Sequence, residues 1–150
     1  MAKCIVEINS STVGSTGRIM FMIAETARKH GFTVYTCSAV HGNEKRIESK
    51  NHIYIGSKLD KKIHLLLAKK TGYNGCFSHF TTAQFLKKID KLQPDLIHFH
   101  NLHNCYINLP MLFDYVKKKN IPVVWTLHDC WAYTGHCPYY DFVHCNKWMT

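Results

Sequence analysis

The chain has 150 residues, of which 46% are hydrophobic and 19% charged, a balance typical of one folded globular domain rather than of a disordered segment. Its formal net charge of +9 favours an anionic partner, such as nucleotide phosphates, nucleic acid or an acidic membrane surface. No run approaches the ~18 apolar residues of a membrane-spanning helix, no signal peptide is recognisable, and the seven scattered cysteines therefore predict reduced thiols in a cytoplasmic protein.

Apolar runs alternate with amphipathic segments along the chain. In chain order, strands are predicted over residues 3–9, 33–38, His52–Ile55, 96–100 and 121–127, and helices over a segment that ends at His30 and over residues 59–70, 81–92 and 111–119. Asn108 is the predicted cap of the last helix, and Pro110 falls where helix N-termini accept proline. The alternation is typical of parallel βαβ units, and we predict one doubly wound, Rossmann-like α/β domain over residues 1–150.

The segment after the first predicted strand combines two glycines with an arginine. Its residues are Gly14, Ser15, Thr16, Gly17 and Arg18. In a doubly wound fold we expect a loop here that opens the first helix, where free backbone N–H groups attract anions. A cation in the first helical turn is unfavourable by up to ~1 kcal/mol, and a bound anion offsets that cost. The segment lacks the G-x-G-x-x-G pattern of dinucleotide sites, and both an anion site and a tight turn with a solvent-facing arginine fit it.

Three histidines gather at the end of the fourth predicted strand. His98 and His100 share one face of that strand, and His100 lies at its carboxyl end, where open α/β sheets bind ligands. For His98 we expect an ordinary core histidine that is bonded to the backbone. A metal site formed with His103 is disfavoured, because His98 points into the sheet.

The fifth predicted strand ends in the titratable pair His128-Asp129. Parallel strands end at the same edge of a sheet, so we expect this pair to lie near His100. The alternative interpretation is that Asp129 caps the next turn and His128 is structural.

The last segment, residues 128–150, shows no clear period, and no helix is predicted at its end. Its candidate metal ligands are Cys130, His136, Cys137, His144 and Cys145. Spacings of seven and eight residues between the cysteines differ from the close pairs of structural zinc sites. Buried cysteines are the preferred interpretation, and a zinc site completed by residues beyond Thr150 stays open.

The helix predicted over residues 59–70 carries both leucines and lysines. Its apolar side consists of Leu59, Ile63, Leu66 and Leu67, and its lysines, with the one just before it, are Lys58, Lys61, Lys62, Lys69 and Lys70. One interpretation places the leucines in the core with the lysines solvated. The other is peripheral contact of residues 58–70 with the anionic inner face of a membrane. Nucleic acid is not an expected partner, because no basic stripe is interleaved with exposed aromatic residues.

Three segments carry a family resemblance. They are Gly14-Ser-Thr-Gly-Arg-Ile19, Pro94-Asp-Leu-Ile-His-Phe-His-Asn-Leu-His103, and Ile121-Pro-Val-Val-Trp-Thr-Leu-His-Asp-Cys-Trp131 with Thr134-Gly-His-Cys137. In order and spacing the chain resembles glycosyltransferase family 4, the retaining sugar transferases of GT-B fold. More narrowly, it resembles the bacterial enzymes of capsule, exopolysaccharide and O-antigen assembly.

The resemblance implies two Rossmann-like lobes that face a cleft, with this chain as the amino-terminal, acceptor-side lobe. The lobe that binds the nucleotide diphosphate is expected outside this chain. His100 would be the catalytic residue that contacts the donor sugar, and residues 14–18 would lie near the donor phosphates, although they depart from the commoner double-glycine form. The acceptor-side residues would be Asn101, His103, His128 and Asp129.

The implied reaction moves a sugar, with retention, from a nucleotide sugar to a glycan or a lipid-linked glycan. Neither a metal nor another cofactor is expected, since positive groups and helix dipoles can stabilise the leaving diphosphate. The residues leave one alternative open, which is a non-catalytic module that binds an anionic glycan or lipid.

Overall fold

The computed structural model describes residues 3–40, 47–134 and 137–144. Within them a parallel sheet contains five strands in the order β3-β2-β1-β4-β5. The strands are β1 (Cys4–Asn9), β2 (Thr33–Ala39), β3 (His52–Ile55), β4 (Leu96–Phe99) and β5 (Val123–Trp125). This order, with helical crossovers between parallel strands, confirms the predicted doubly wound fold.

The helices connect the strands as expected from the sequence. They are α1 (Gly14–Lys29), α2 (Lys58–Thr71), α3 (His79–Leu92), α4 (Leu109–Lys119) and the single-turn α5 (Trp131–Thr134), and a 3₁₀ turn follows at Asp141–Val143. The predicted cap is confirmed, because the Asn108 side chain accepts a hydrogen bond from the Met111 backbone N–H and proline follows within the first turn. The segment after residue 127, where the sequence shows no clear period, contains the single-turn α5, and the end of that segment lies outside the described residues.

Strands β4 and β5 are shorter than predicted. β4 ends at Phe99 rather than at His100, and β5 is confined to Val123–Trp125 rather than to residues 121–127. The reason is pairing, because β5 bonds only to β4 and each of its three residues has a β4 partner. A parallel edge strand extends no further than the neighbour that it pairs with.

The main core lies on one face of the sheet, beneath α3 and α4. Val6, Ile8, Ile97 and Phe99 of the sheet meet Phe85 and Ile89 of α3 and Leu112 and Val116 of α4 there. Because side chains alternate along a strand, Glu7 of β1 and His98 of β4 point to the opposite face. The sheet therefore has one apolar face and, at its centre, a polar cluster on the other.

Helix α2 departs from the ordinary pattern. Leu59, Ile63 and Leu66 are exposed, and His64 is the residue that α2 buries. The interpretation that places this apolar side in the core is therefore wrong for these three residues, and Leu67, its fourth member, is partly buried. The described helices include none that is both long enough and apolar enough to cross a membrane.

Candidate functional site

A buried carboxylate lies at the centre of the sheet, on β1. One oxygen of Glu7, Oε2, accepts hydrogen bonds from Nδ1 of His98 at 2.9 Å and from Nε2 of His100 at 2.8 Å. All three side chains are buried, and Glu7 lies beside His98 in the register of β1 and β4. A buried carboxylate is unfavourable unless it is paired, and the ring N–H groups of these two histidines meet this requirement.

These contacts fix the protonation of the cluster. Burial by itself raises the pKa of Glu7, but the hydrogen bonds from His100 and His98 lower it below its ordinary value. Glu7 is therefore ionised at neutral pH, and each histidine points an N–H at it. On this assignment His98 carries its proton on Nδ1, and His100 carries one on Nε2.

His98 is not the backbone-bonded core residue expected from the sequence. Its second ring nitrogen, Nε2, lies 2.8 Å from the hydroxyl of Thr126, which donates to it. His98 thus links Glu7 on β1 to the segment just after β5. The expectation failed because both partners are distant in sequence, and strand alternation shows only which face a side chain takes.

His100 connects the buried carboxylate to a second histidine. Its Nδ1 atom lies 2.9 Å from Nε2 of His128, and the two ring planes are nearly parallel, at 17°, with centroids 5.2 Å apart. In the neutral form of His100 whose Nε2 proton faces Glu7, the Nδ1 atom accepts the Nε2 proton of His128. Burial, together with the nearby His100, lowers the pKa of His128, which is therefore neutral at pH 7. The Nδ1 atom of His128 remains as an acceptor that neither contact uses.

A second pair joins the two loops at the same edge. Nε2 of His103 lies 2.9 Å from Oδ2 of Asp129, and the other oxygen of Asp129 accepts from the Trp131 backbone N–H at 3.0 Å. The predicted cap is confirmed, because Asp129 accepts from the backbone of the next turn, and a functional role for Asp129 stays a prediction. The side chains of His128 and Asp129 bond to different histidines of the loop after β4, His128 to His100 and Asp129 to His103.

A small cleft opens between the loops that follow β4 and β5. Asn101, His103, His128 and Asp129 line it, with Trp131 at one side. The His100 side chain is 0% exposed and its two ring nitrogens are occupied, whereas His128 is partly exposed. The role of His100 as the residue that touches substrate stays a prediction, and in this geometry His103 and His128 are the partly exposed histidines that line the cleft.

The glycine segment is part of a helix rather than a loop. Gly14, Ser15, Thr16, Gly17 and Arg18 form the start of α1, which corrects the predicted loop. A Cβ atom at Gly17 would lie 2.5 Å from the Thr12 carbonyl carbon, so close packing of the chain requires glycine there. The first turn has neither an acidic residue nor a side-chain cap, and this leaves its positive end uncompensated. Anion binding by these five residues stays a prediction.

Asn9 ties this helix start to the histidine loop. Its Nδ2 group donates to the hydroxyl of Thr16 at 3.3 Å and to the Ser11 carbonyl at 2.9 Å, while its Oδ1 atom accepts from the Asn101 backbone N–H at 3.2 Å. The two predicted halves of the site therefore share one sheet edge. Sequence reasoning missed Asn9 and Glu7. Their signal was available, because two polar residues at alternate positions interrupt an apolar strand.

The predicted metal sites can be compared with the structure where their residues are described. Among the described residues, one group of three has its ligating atoms within 4.8 Å of one another, and it consists of Glu7, His98 and His100. The alternative site with His103 is not formed, since His103 binds Asp129 instead. The zinc interpretation of the tail is untested, because His136 and Cys145 lie outside the described residues.

Comparison with known proteins decides the family. The sequence model of Glycosyltransferase Family 4 matches residues 16–149, nearly the whole chain. The chain belongs to glycosyltransferase family 4. This confirms the resemblance seen in the three sequence segments. The chain is also similar to the putative colanic acid biosynthesis glycosyl transferase WcaC of Escherichia coli (strain K12), with 40% identity over 62 residues. That match spans 38% of this chain and 15% of the relative's length.

Proposed function

We propose that the protein containing this chain transfers a sugar from a nucleotide-sugar donor to a glycan or lipid-linked glycan during bacterial polysaccharide biosynthesis. Family membership supports the class of reaction, and the similarity to a protein named for colanic acid biosynthesis supports the context. The observation that carries the proposal is the series Glu7–His100–His128, which runs from a buried carboxylate to a cleft at the carboxyl edge of the sheet. Open α/β sheets bind their ligands at this edge.

In this proposal His128 positions the donor sugar. Its unused Nδ1 atom accepts a hydrogen bond from a sugar hydroxyl, and His100 and Glu7 hold the ring in one tautomer and one orientation. Buried polar groups that fix a ligand-contacting side chain reduce the cost of ordering it during the reaction. His100 is then a positioning residue, and it acts through His128.

The proposed reaction retains the configuration of the sugar. The bond from the anomeric carbon to the diphosphate oxygen breaks, the acceptor oxygen bonds to the same face of that carbon, and the acceptor proton passes to the leaving diphosphate. Because the acceptor oxygen attacks the face that the diphosphate leaves, the proposal requires no protein nucleophile, and the products are a new glycoside and the nucleoside diphosphate. The N-terminal end of α1, with Gly14, Gly17 and Arg18, supplies backbone N–H groups and positive charge for the phosphates, and the proposal assigns no step to a metal.

The test is transfer by the full-length protein with a panel of nucleotide sugars and with soluble and lipid-linked glycans. The expected product carries a new glycosidic bond in the donor's anomeric configuration, measured by mass spectrometry and NMR. An inverted product removes retention from the proposal while leaving transfer in place. Binding of an anionic glycan without transfer from any donor favours the non-catalytic module instead.

A further inference from the structure

The outward side of α2 is apolar, which is the reverse of an ordinary surface helix. Leu59 is 68% exposed, Ile63 50% and Leu66 67%, and Leu65 on the adjoining side is also exposed. Spacings of four and three residues place Leu59, Ile63 and Leu66 in one stripe along the helix. A contiguous apolar stripe of this kind marks an interaction site more often than chance exposure does.

The inward side of α2 is occupied by polar groups. His64 is fully buried, and its Nδ1 atom lies 2.8 Å from the hydroxyl of Ser78. That hydroxyl donates to Asp60 at 2.7 Å, and the hydroxyl of Thr81 donates to the same Asp60 oxygen at 3.0 Å. Asp60 is the one acidic residue in the α2 sequence, so the helix contributes no carboxylate to its own exposed stripe.

Exposed lysines border the stripe. Helical spacing places Lys62 and Lys69 along one side of the stripe. Lys70 lies four residues after Leu66 and therefore at the end of the stripe. Tyr73, just after the helix, is also largely exposed. Apolar residues flanked by lysines, with an aromatic ring near one end, are the composition of helices that lie in the boundary between lipid headgroups and acyl chains.

We propose that α2 docks this chain on an anionic lipid surface. Leu59, Ile63 and Leu66 enter the boundary below the headgroups, and Lys62, Lys69 and Lys70 bind headgroup phosphates. A second copy of this chain is the less suitable occupant, because two such faces would bring their lysines together in a protein of net charge +9. The proposal rests on α2 alone and does not depend on sugar transfer.

The test measures sedimentation of the purified chain with vesicles of phosphatidylcholine alone and with vesicles that also contain phosphatidylglycerol. Binding is expected only to the anionic vesicles, and it should weaken as salt is raised, because headgroup charge is screened within a Debye length of ~8 Å at physiological ionic strength. The variant with Lys62→Glu, Lys69→Glu and Lys70→Glu should lose at least about tenfold in apparent affinity.

Two further variants make the test specific. Lys87→Glu, Lys88→Glu and Lys91→Glu change the net charge equally on exposed positions of α3, and this control should keep most of the binding. Leu59→Gln, Ile63→Gln and Leu66→Gln should lose binding with an unchanged circular dichroism spectrum, since these side chains are exposed.

Three outcomes would overturn the proposal. They are equal binding to both kinds of vesicle, equal loss in the α2 and α3 lysine variants, and vesicle binding that persists in the glutamine variant. If the glutamine variant instead abolishes self-association seen by analytical ultracentrifugation and leaves vesicle binding intact, a second copy is the occupant.

Discussion

At the scale of single residues, Glu7 offers the sharpest test of the buried cluster. Glu7→Gln keeps the shape and places an amide oxygen where the carboxylate oxygen accepts both histidine protons, but it removes the charge. Charge-assisted hydrogen bonds are about twice as strong as neutral ones, so we expect the free energy of unfolding to fall by about 1–3 kcal/mol. Urea denaturation measures this. The matched control is Glu25→Gln, which removes an exposed ion pair with Lys29 and should change stability by less than ~0.5 kcal/mol.

The same variant predicts a pH dependence. The folded-state pKa of Glu7 is lowered, so its contribution is present above the ordinary glutamate pKa of ~4.3 and is lost as the pH falls from there through the folded-state value. The difference in stability between the unmodified chain and Glu7→Gln should therefore shrink in acid. A difference that stays constant down to the acid limit of folding would contradict an ionised Glu7.

His128 is the residue that the proposal places in contact with the sugar. In the full-length protein, His128→Ala should lower kcat/KM by about ten- to hundredfold, the value of one lost hydrogen bond of the stronger kind, and should lower stability by about 1–3 kcal/mol, because the buried Nδ1 atom of His100 loses its donor. His100→Ala should lower both, since it leaves Glu7 with one partner. His30→Ala, at an exposed position after α1, is the control. Full activity in His128→Ala would return the contact to His100 or His103.

At the scale of elements, the sequence was sufficient wherever local chemistry decides the structure. Strand alternation placed His98 and His100 on one face, and Asn108 followed by Pro110 located the start of α4. The orientation of α2 was not predictable in the same way. Periodicity shows that Leu59, Ile63 and Leu66 share a side of the helix, but it does not show whether that side faces the core. Asp60 faces inward because it bonds to Ser78 and Thr81, which lie beyond the helix in sequence.

The candidate site was predictable in its position and only partly in its contacts. Topology brings the ends of β1, β4 and β5 to one edge, which is why His100, His103, His128 and Asp129 do lie close together. Which of these residues bond to each other depends on side-chain geometry. No feature of the sequence therefore predicts that His100 bonds to His128 and His103 to Asp129. Glu7 had one, because a lone acid inside an apolar strand requires a buried partner.

The polar attachment of α2 predicts that this helix loosens in mild acid. Burial lowers the pKa of His64 despite the nearby Asp60, so the stability that neutral His64 provides is present above the ordinary histidine pKa of ~6.5 and is lost as the pH falls. After correction for intrinsic rates, amide hydrogen exchange in α2 should accelerate between about pH 7 and pH 5, while β1 and β4 stay protected. His64→Gln should remove this change. Equal acceleration in α2 and β1 would indicate global destabilisation instead.

At the scale of the whole molecule, the proposed function includes a second lobe outside this chain. The match to WcaC covers 15% of that protein's length, and the family resemblance implies a cleft between two lobes. If the second lobe binds the nucleotide diphosphate, as the resemblance implies, the isolated chain should show no measurable sugar transfer and at best weak nucleotide binding. Calorimetric titration with a panel of nucleotide sugars measures this, and micromolar affinity for any of them would contradict the expectation.

One oxygen atom of Glu7 serves two imidazole rings, and this has a consequence for how the protein tolerates change. Removing either histidine leaves the Glu7 carboxylate with only the other histidine of this pair as a donor. The free-energy effects of substitutions at His98 and His100 should therefore not add. The same contacts join β1, β4 and the segment after β5, and they also orient the group that faces the cleft. Substitutions that change the stability of the sheet at these atoms therefore also change the group that faces the cleft. Substitutions that change ligand preference there should in turn change the stability of the sheet.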